Sequence, residues 1–294
     1  MKRWTAWMLI GSMAAIFSGC QTAQLPPPLA TADQIDMLNA RTGLVQTLKT
    51  RGRISIEWVD RDGSHRQSAD ARLLLRRAPA RVLKPGVPEA DVLLVGSFEG
   101  SSVFEMGVNE KFHWSAYYTQ SKRAYVGRTD AAPGNAARGA PFRADRVLEL
   151  LGLTELDAAS IRMKVQDSPG VNVIDVFSPG PNAWKQRTIT VDRFTGDITA
   201  MQFYRADGSL EATATLADYH TYEGARDGVP SGRLRLPYKV YMDQPDTKGH
   251  VELVVDPAGG IKVNASVPED FSELPDFKAQ GLPVIDVDQP VGNP

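Results

Sequence analysis

The chain has 294 residues, 42% of them hydrophobic, with 33 basic against 35 acidic side chains and a single cysteine. The near-neutral, slightly acidic balance without a basic run excludes a nucleic-acid binder that works through charge. With the lone Cys20 at the end of a leader, an internal disulfide framework and thiolate metal sites are excluded as well.

Met1 to Cys20 opens with Lys2 and Arg3, continues as an uncharged apolar run from Trp4 to Phe17, and ends in Ser18-Gly19-Cys20. That is the layout of a secretory signal, and the run is shorter than the roughly 20 residues a membrane-spanning helix needs. The Ser18-Gly19-Cys20 ending resembles a bacterial lipobox, although Phe17 stands where that pattern usually has an aliphatic residue. The resemblance implies that residues 1–19 are removed and that Cys20 is acylated, which makes it the lipid attachment and the membrane contact. Stable anchoring takes more than one acyl chain, which a multiply acylated cysteine supplies. By the same resemblance Gln21, a residue other than Asp after the cysteine, implies an outer-membrane address with the chain facing the periplasm. A plain signal peptide that happens to contain a cysteine is the alternative.

Residues 20–32 contain Pro26-Pro27-Pro28 and are predicted as a stiff, proline-rich tether to a domain over 33–267. A helix is predicted from Thr31 or Asp33 to about Thr50, with Ile35, Leu38, Val45 and Leu48 gathered on one side. Ile54, Ile56 and Trp58 then alternate with Arg53, Ser55 and Glu57, and Arg61 to Ser64 supply turn chemistry. The chain returns through Ala69, Ala71, Leu73 and Leu75, which makes a hairpin. Residues 79–88 form a proline-rich loop.

Alternation resumes over Val92 to Glu99, Val103 to Val108, Lys111 to Tyr118 and Arg123 to Gly127. Phe104 and Met106 share one parity, as do Phe112 and Trp114, and these large side chains are expected to line the thickest part of the apolar interior. A Gly, Ala and Pro-rich loop at 130–141 leads to a short helix with Val147, Leu148 and Leu151 on one face and Gly152 as its stop. Alternating segments then run from Ile161 to Ala265 with turns at 193–196 and 206–209. Residues 268–294 carry five prolines and no period, and are predicted as a C-terminal arm.

About a dozen short strands joined by hairpin-length turns force antiparallel neighbours, with only two helices to cover them. The predicted class is α+β, mainly antiparallel β: a strongly curved half-barrel sheet with a helical lid.

In this order of elements the chain resembles the LolA/LolB-like lipoprotein carriers and receptors. The resemblance rests on Leu48-Lys49-Thr50, the strand opening Gly52 to Ile56, the turn Val108 to Trp114, the helix at 147–151, and the hairpin Val191 to Phe203. It spans residues 33–267 and leaves the arm outside. What it implies is a non-catalytic interior that binds the acyl chain of a lipid or lipoprotein. The stripe Ile54, Ile56, Trp58, Leu73, Leu75, Phe104, Met106, Phe112 and Trp114 is the candidate acyl-chain pocket, with an ordinary packed core as the alternative.

No catalytic residue, cofactor or metal is assigned. The four histidines, His65, His113, His220 and His250, are scattered, and neither an HExxH pair nor a GxSxG elbow nor a phosphate loop occurs. Asp60 to Gly63 resembles the start of a calcium loop but lacks the later glutamate. The rival to a carrier is a structural or regulatory envelope lipoprotein that uses the same fold for protein contacts. A hydrolase, whose triad could assemble across distance, ranks last.

Overall fold

The computed structural model describes residues 31–60, 63–77, 89–119, 122–129, 145–164, 170–178, 181–223, 233–246 and 248–288. The leader, Cys20, the tether up to residue 30, the loops at 79–88 and 130–141, and Arg61-Asp62 lie outside the described residues.

Helix α1 (Thr31–Gly43) has Asp33 in its first turn and Arg41 in its last, the charge order the helix dipole favours. Its buried side chains Ile35 and Leu38 are one turn apart and face the sheet core. The helix stops at Gly43 and does not run on to Thr50, contrary to what the spacing of Val45 and Leu48 predicts. Leu48 belongs instead to β1 (Thr47–Asp60), where it pairs with Leu75. Pairing with two distant segments overrides the local helical period there.

From β1 the chain runs through β2 (Gly63–Arg77), β3 (Ala90–Phe98), β4 (Ser101–Val108), β5 (Phe112–Tyr117) and β6 (Arg123–Arg128) as successive antiparallel neighbours. Helix α2 (Asp145–Leu150) and a short 3-10 turn (Ala158–Ser160) follow. A second meander comprises β7 (Ile161–Lys164), β8 (Val171–Phe177), β9 (Lys185–Asp192), β10 (Ile198–Tyr204), β11 (Leu210–Glu223), β12 (Arg233–Gln244) and β13 (Gly249–Val255). Strand β13 pairs antiparallel with β1 and joins the two meanders into one sheet. Strand β14 (Ile261–Val263) also pairs with β1, and β15 (Val284–Asp286) adds to β6 in parallel. The result is one open 15-stranded sheet running from β15 to β7.

The sheet curves strongly. The Trp58 ring of β1 lies tilted against Tyr117 of β5 with centroids 5.6 Å apart, and Gln67 of β2 donates to Thr119 Oγ1 at 2.8 Å, although other strands separate them in the ladder. The concave face carries one large apolar cluster that includes Ile54, Leu73, Phe104, Phe203, Leu236 and Val251. A second, smaller cluster lies on the other face of β5 and β6, where Phe277 and Leu282 of the C-terminal segment cover Trp114, Ala116 and Ala124.

Candidate functional site

The structure divides the predicted stripe. Ile54, Ile56, Trp58, Leu73, Leu75, Phe104 and Met106 come together in the concave cluster. Trp114 belongs to the cluster on the opposite face, and Phe112 packs against that one. The register shows why: Phe104 faces Tyr117 and Met106 faces Ser115, so Trp114, opposite Gly107, must point the other way. Side chains that the stripe omits complete the concave surface, among them Leu94, Tyr117, Val240, Val251 and Leu253. Their signal was parity: each is in phase with its cross-strand partner, as Leu94 is with Met106 and Val240 with Leu253.

Helix α2 packs against this surface. Val147, Leu150 and Leu151 face Ile54, Leu94, Val240, Val251 and Leu253 across a cavity of ≈ 10 Å³ without polar lining. That is about the room one water needs, so the space beneath α2 is filled by side chains. The helix ends in a Schellman motif: Leu153 N donates to Leu148 O and Gly152 N to Glu149 O, both at 2.9 Å. Gly152 takes the positive φ of 68° that this stop requires.

Polar contacts fasten the segment at its margins. Glu149 accepts from Arg187 Nη1 at 2.6 Å and from Arg146 Nη1 at 2.7 Å, while Arg146 also reaches Glu211 at 3.0 Å and lies over the Phe203 ring. Arg77 donates to Leu153 O and pairs with Glu89 at 3.2 Å. Glu89 in turn accepts from Glu155 N at 3.0 Å. Burial pushes the Glu89 carboxyl above the usual range, against the pull of the Glu155 amide and the Arg77 guanidinium. Asn39 of α1 closes a reciprocal pair with Leu156, accepting at 2.8 Å and donating at 2.9 Å. Helix α1 is tied down at its own end, where Arg41 donates to Gly196 O at 2.6 Å beside the buried Asp197.

At the end of the concave face Trp58 stacks on His65 at 5.0 Å, and Tyr117 meets Tyr125 edge-on at 6.4 Å. The Tyr117 hydroxyl and Gln67 Oε1 are buried there without a hydrogen-bond partner among the described residues. Burial, with Tyr125 adding to it, pushes the Tyr117 phenol well above its usual range. Among the described residues no group of three or more His, Cys, Asp or Glu side chains gathers as a metal site would need.

No family model matches the chain, and no curated protein matches it in sequence. Solved structures do match in fold. A DUF1329 family protein from Desulfovibrio piger superposes with a TM-score of 0.53 at 10% identity, over 82% of this chain and 96% of that one. A domain described as an outer membrane lipoprotein-sorting protein from Vibrio parahaemolyticus gives 0.50 at 14% identity, again over 82% and 96%. A LolA superfamily protein from Nitrosomonas europaea gives 0.48 at 11% identity, over 83% and 98%. At such identities the likeness is one of fold, and the fold of this chain is LolA/LolB-like.

Proposed function

We propose that this chain is a lipid-anchored outer-membrane lipoprotein, held by acylated Cys20, that takes an acyl chain into its concave interior in lipoprotein or lipid trafficking, without catalysis. One observation supports the reading: Val147, Leu150 and Leu151 of the six-residue helix α2 meet the concave surface through apolar contacts, while its fastenings are polar and marginal. In this reading α2 is the lid. An acyl chain replaces Val147, Leu150 and Leu151 against the sheet, and the ion pairs of Glu149 open to admit it. Ile54, Ile56, Trp58, Leu73, Leu75, Phe104 and Met106 form the pocket floor. Transfer is passive, down an affinity gradient, with each buried methylene contributing about 0.8 kcal/mol. The sorting role in the description of the Vibrio parahaemolyticus domain supports the same assignment.

The ≈ 10 Å³ cavity favours a second reading, an envelope lipoprotein whose packed interior supports protein contacts. One experiment separates them. Residues 20–294 carrying Cys20→Ser are purified and extracted with organic solvent, the extract is analysed by mass spectrometry, and uptake of a fluorescent fatty acid is titrated. Stoichiometric lipid or saturable uptake supports the carrier. A ligand-free protein that takes up nothing leaves the protein-contact reading.

A further inference from the structure

Strand β1 carries a second regular series on the face turned away from the apolar interior: Lys49, Arg51, Arg53, Ser55 and Glu57. The ladder fixes what stands beside each. Lys49 faces Lys262 of β14, and Arg51 faces Arg72 of β2. Arg53 faces Asp70, and Ser55 faces Glu252 of β13. Like charges directly opposite each other across a ladder oppose pairing, yet here two such pairs occupy successive rows. Among the described residues none of Lys49, Arg51, Arg53, Arg72 and Lys262 closes an ion pair.

The curl of the sheet and the turn from β13 into β14 shape this face into a groove of ≈ 690 Å³. Arg51 and Arg72 lie towards one end of it, Arg53 and Asp70 face each other in the middle, and Ser55 and Glu252 lie towards the other end. Asp256, also on its wall, stands beside Arg51, to whose carbonyl oxygen its N–H donates at 2.9 Å, and its carboxylate accepts from Ala258 N at 2.9 Å. The groove has a charge direction: Arg51 and Arg72 outnumber Asp256 in the first row, Arg53 and Asp70 balance in the second, and Glu252 stands beside Ser55 in the third, each row displaced by two residues or roughly 6.8 Å.

Guanidinium forks match the oxygens of a phosphate, and three of them leave its charge well compensated. A run of phosphates, as in a nucleic acid, would be repelled by Asp70 and Glu252. A bare phosphate would leave those carboxylates without a counter-charge. We infer that this groove binds a phosphoethanolamine group, with the phosphate on Arg51, Arg72 and Arg53 and the primary ammonium on Glu252 and Asp70. The site is on the opposite side of the sheet from the acyl-chain interior and does not depend on it.

The test uses residues 20–294 with Cys20→Ser, titrated calorimetrically with O-phosphoethanolamine, inorganic phosphate and ethanolamine. Phosphoethanolamine is expected to bind about tenfold more tightly than phosphate, since each compensated charge-assisted contact contributes on that scale. Arg51→Gln combined with Arg72→Gln weakens both ligands by about tenfold or more, and Glu252→Gln brings phosphoethanolamine down to the level of phosphate. These side chains point to solvent, so unchanged circular dichroism and thermal midpoint report that the variants are folded. Flotation with vesicles containing phosphatidylethanolamine, against phosphatidylcholine vesicles as control, identifies the source. Co-flotation lost in the double arginine variant assigns a lipid headgroup, and binding of the free compound without flotation assigns a soluble ester. Absence of saturable binding, equal affinity for phosphate and phosphoethanolamine, or binding unaltered by the arginine substitutions overturns the assignment. Fatty-acid uptake is a separate readout, so failure here leaves the interior site untouched.

Discussion

Strand β5 is covered on both sides, and its two faces lead into different parts of the molecule. Tyr117 looks into the large concave cluster, to which β1 to β4, β8 to β13 and both helices contribute. Trp114 and Ala116 look outward, where Phe277 and Leu282 of an irregular segment cover them. Both faces use the same device, an aromatic ring laid over a cross-strand glycine. Phe104 opposes Gly96 on the inside and Trp114 opposes Gly107 on the outside. A Cβ added at Gly96 would come within 2.1 Å of the Phe104 ring, and one at Gly107 within 2.0 Å of the Trp114 ring. The packing is equally close, but the dependence differs: the inner cluster is held by nearly every element, the outer by one segment. That segment is tied by Asn109 Nδ2 to Ser272 O at 2.8 Å, Ala124 N to Pro283 O at 2.9 Å and Val287 N to Val126 O at 2.9 Å.

The largest effect is expected from Phe104→Ala, since its ring is fully buried in the inner cluster. The loss should be about 4 kcal/mol, read as a fall in the urea midpoint with one cooperative transition. A loss below about 1 kcal/mol would show that the inner cluster is not one packed unit. Removing residues 271–294 comes next, at about 3 kcal/mol for the exposed Phe277, Leu282 and Trp114 contacts. Hydrogen exchange should rise in β5 and β6 and stay slow in β1. Equal acceleration in β1 would erase the distinction between the two clusters.

Glu149→Gln should cost about 2 kcal/mol, because Arg187, with only 10% of its side chain exposed, loses its charged partner. If α2 is the lid, the same substitution speeds fatty-acid uptake, measured by stopped-flow fluorescence. The smallest effect concerns Glu105, under the outer cluster, which accepts from Trp114 Nε1 at 3.1 Å and Tyr118 at 3.4 Å. Burial raises its carboxyl above the usual range despite these donors. The folded state therefore holds the proton more tightly than the unfolded one. Its contribution to stability is full below the ordinary carboxylate value and is lost as pH rises through the raised one. Glu105→Gln should remove this slope, so that the variant gains on the wild type as pH climbs through that window in urea titrations.

Much of the architecture is legible in the residues wherever one face of a strand is wet. Ile54, Ile56 and Trp58 alternate with polar neighbours and point inward, and Gly152 marks the end of α2 by its positive φ. Legibility fails where both faces are buried. In β5 the polar phase of His113 and Ser115 misleads, because Ser115 is buried opposite Met106 and the apolar Trp114 and Ala116 point to the outer cluster, so nothing local tells that Trp114 and Phe104 lie on opposite sides. It fails again between α1 and β1, where Leu48 fits the period of both a helix and a strand. The choice is made by Val263 and Leu75, far away in the chain. The helices' burial against the sheet was partly legible, from Ile35, Leu38 and Val147, but the fastening of α2 was not. Arg146, Arg187, Glu149 and Glu211 come from three separate elements, and their convergence is a property of the curved sheet.

The parallel addition of β15 has a consequence for how copies of this chain meet. Growth by strand addition needs a receptive rim on each side of every subunit, and an open sheet has two. On one side the chain has spent its own C-terminal residues, leaving a rim only three residues long. Such a rim offers almost no template, so a second molecule that adds to β7 finds no matching rim from which to continue. Among the described strands, addition of one copy to another at β7 therefore ends at a pair.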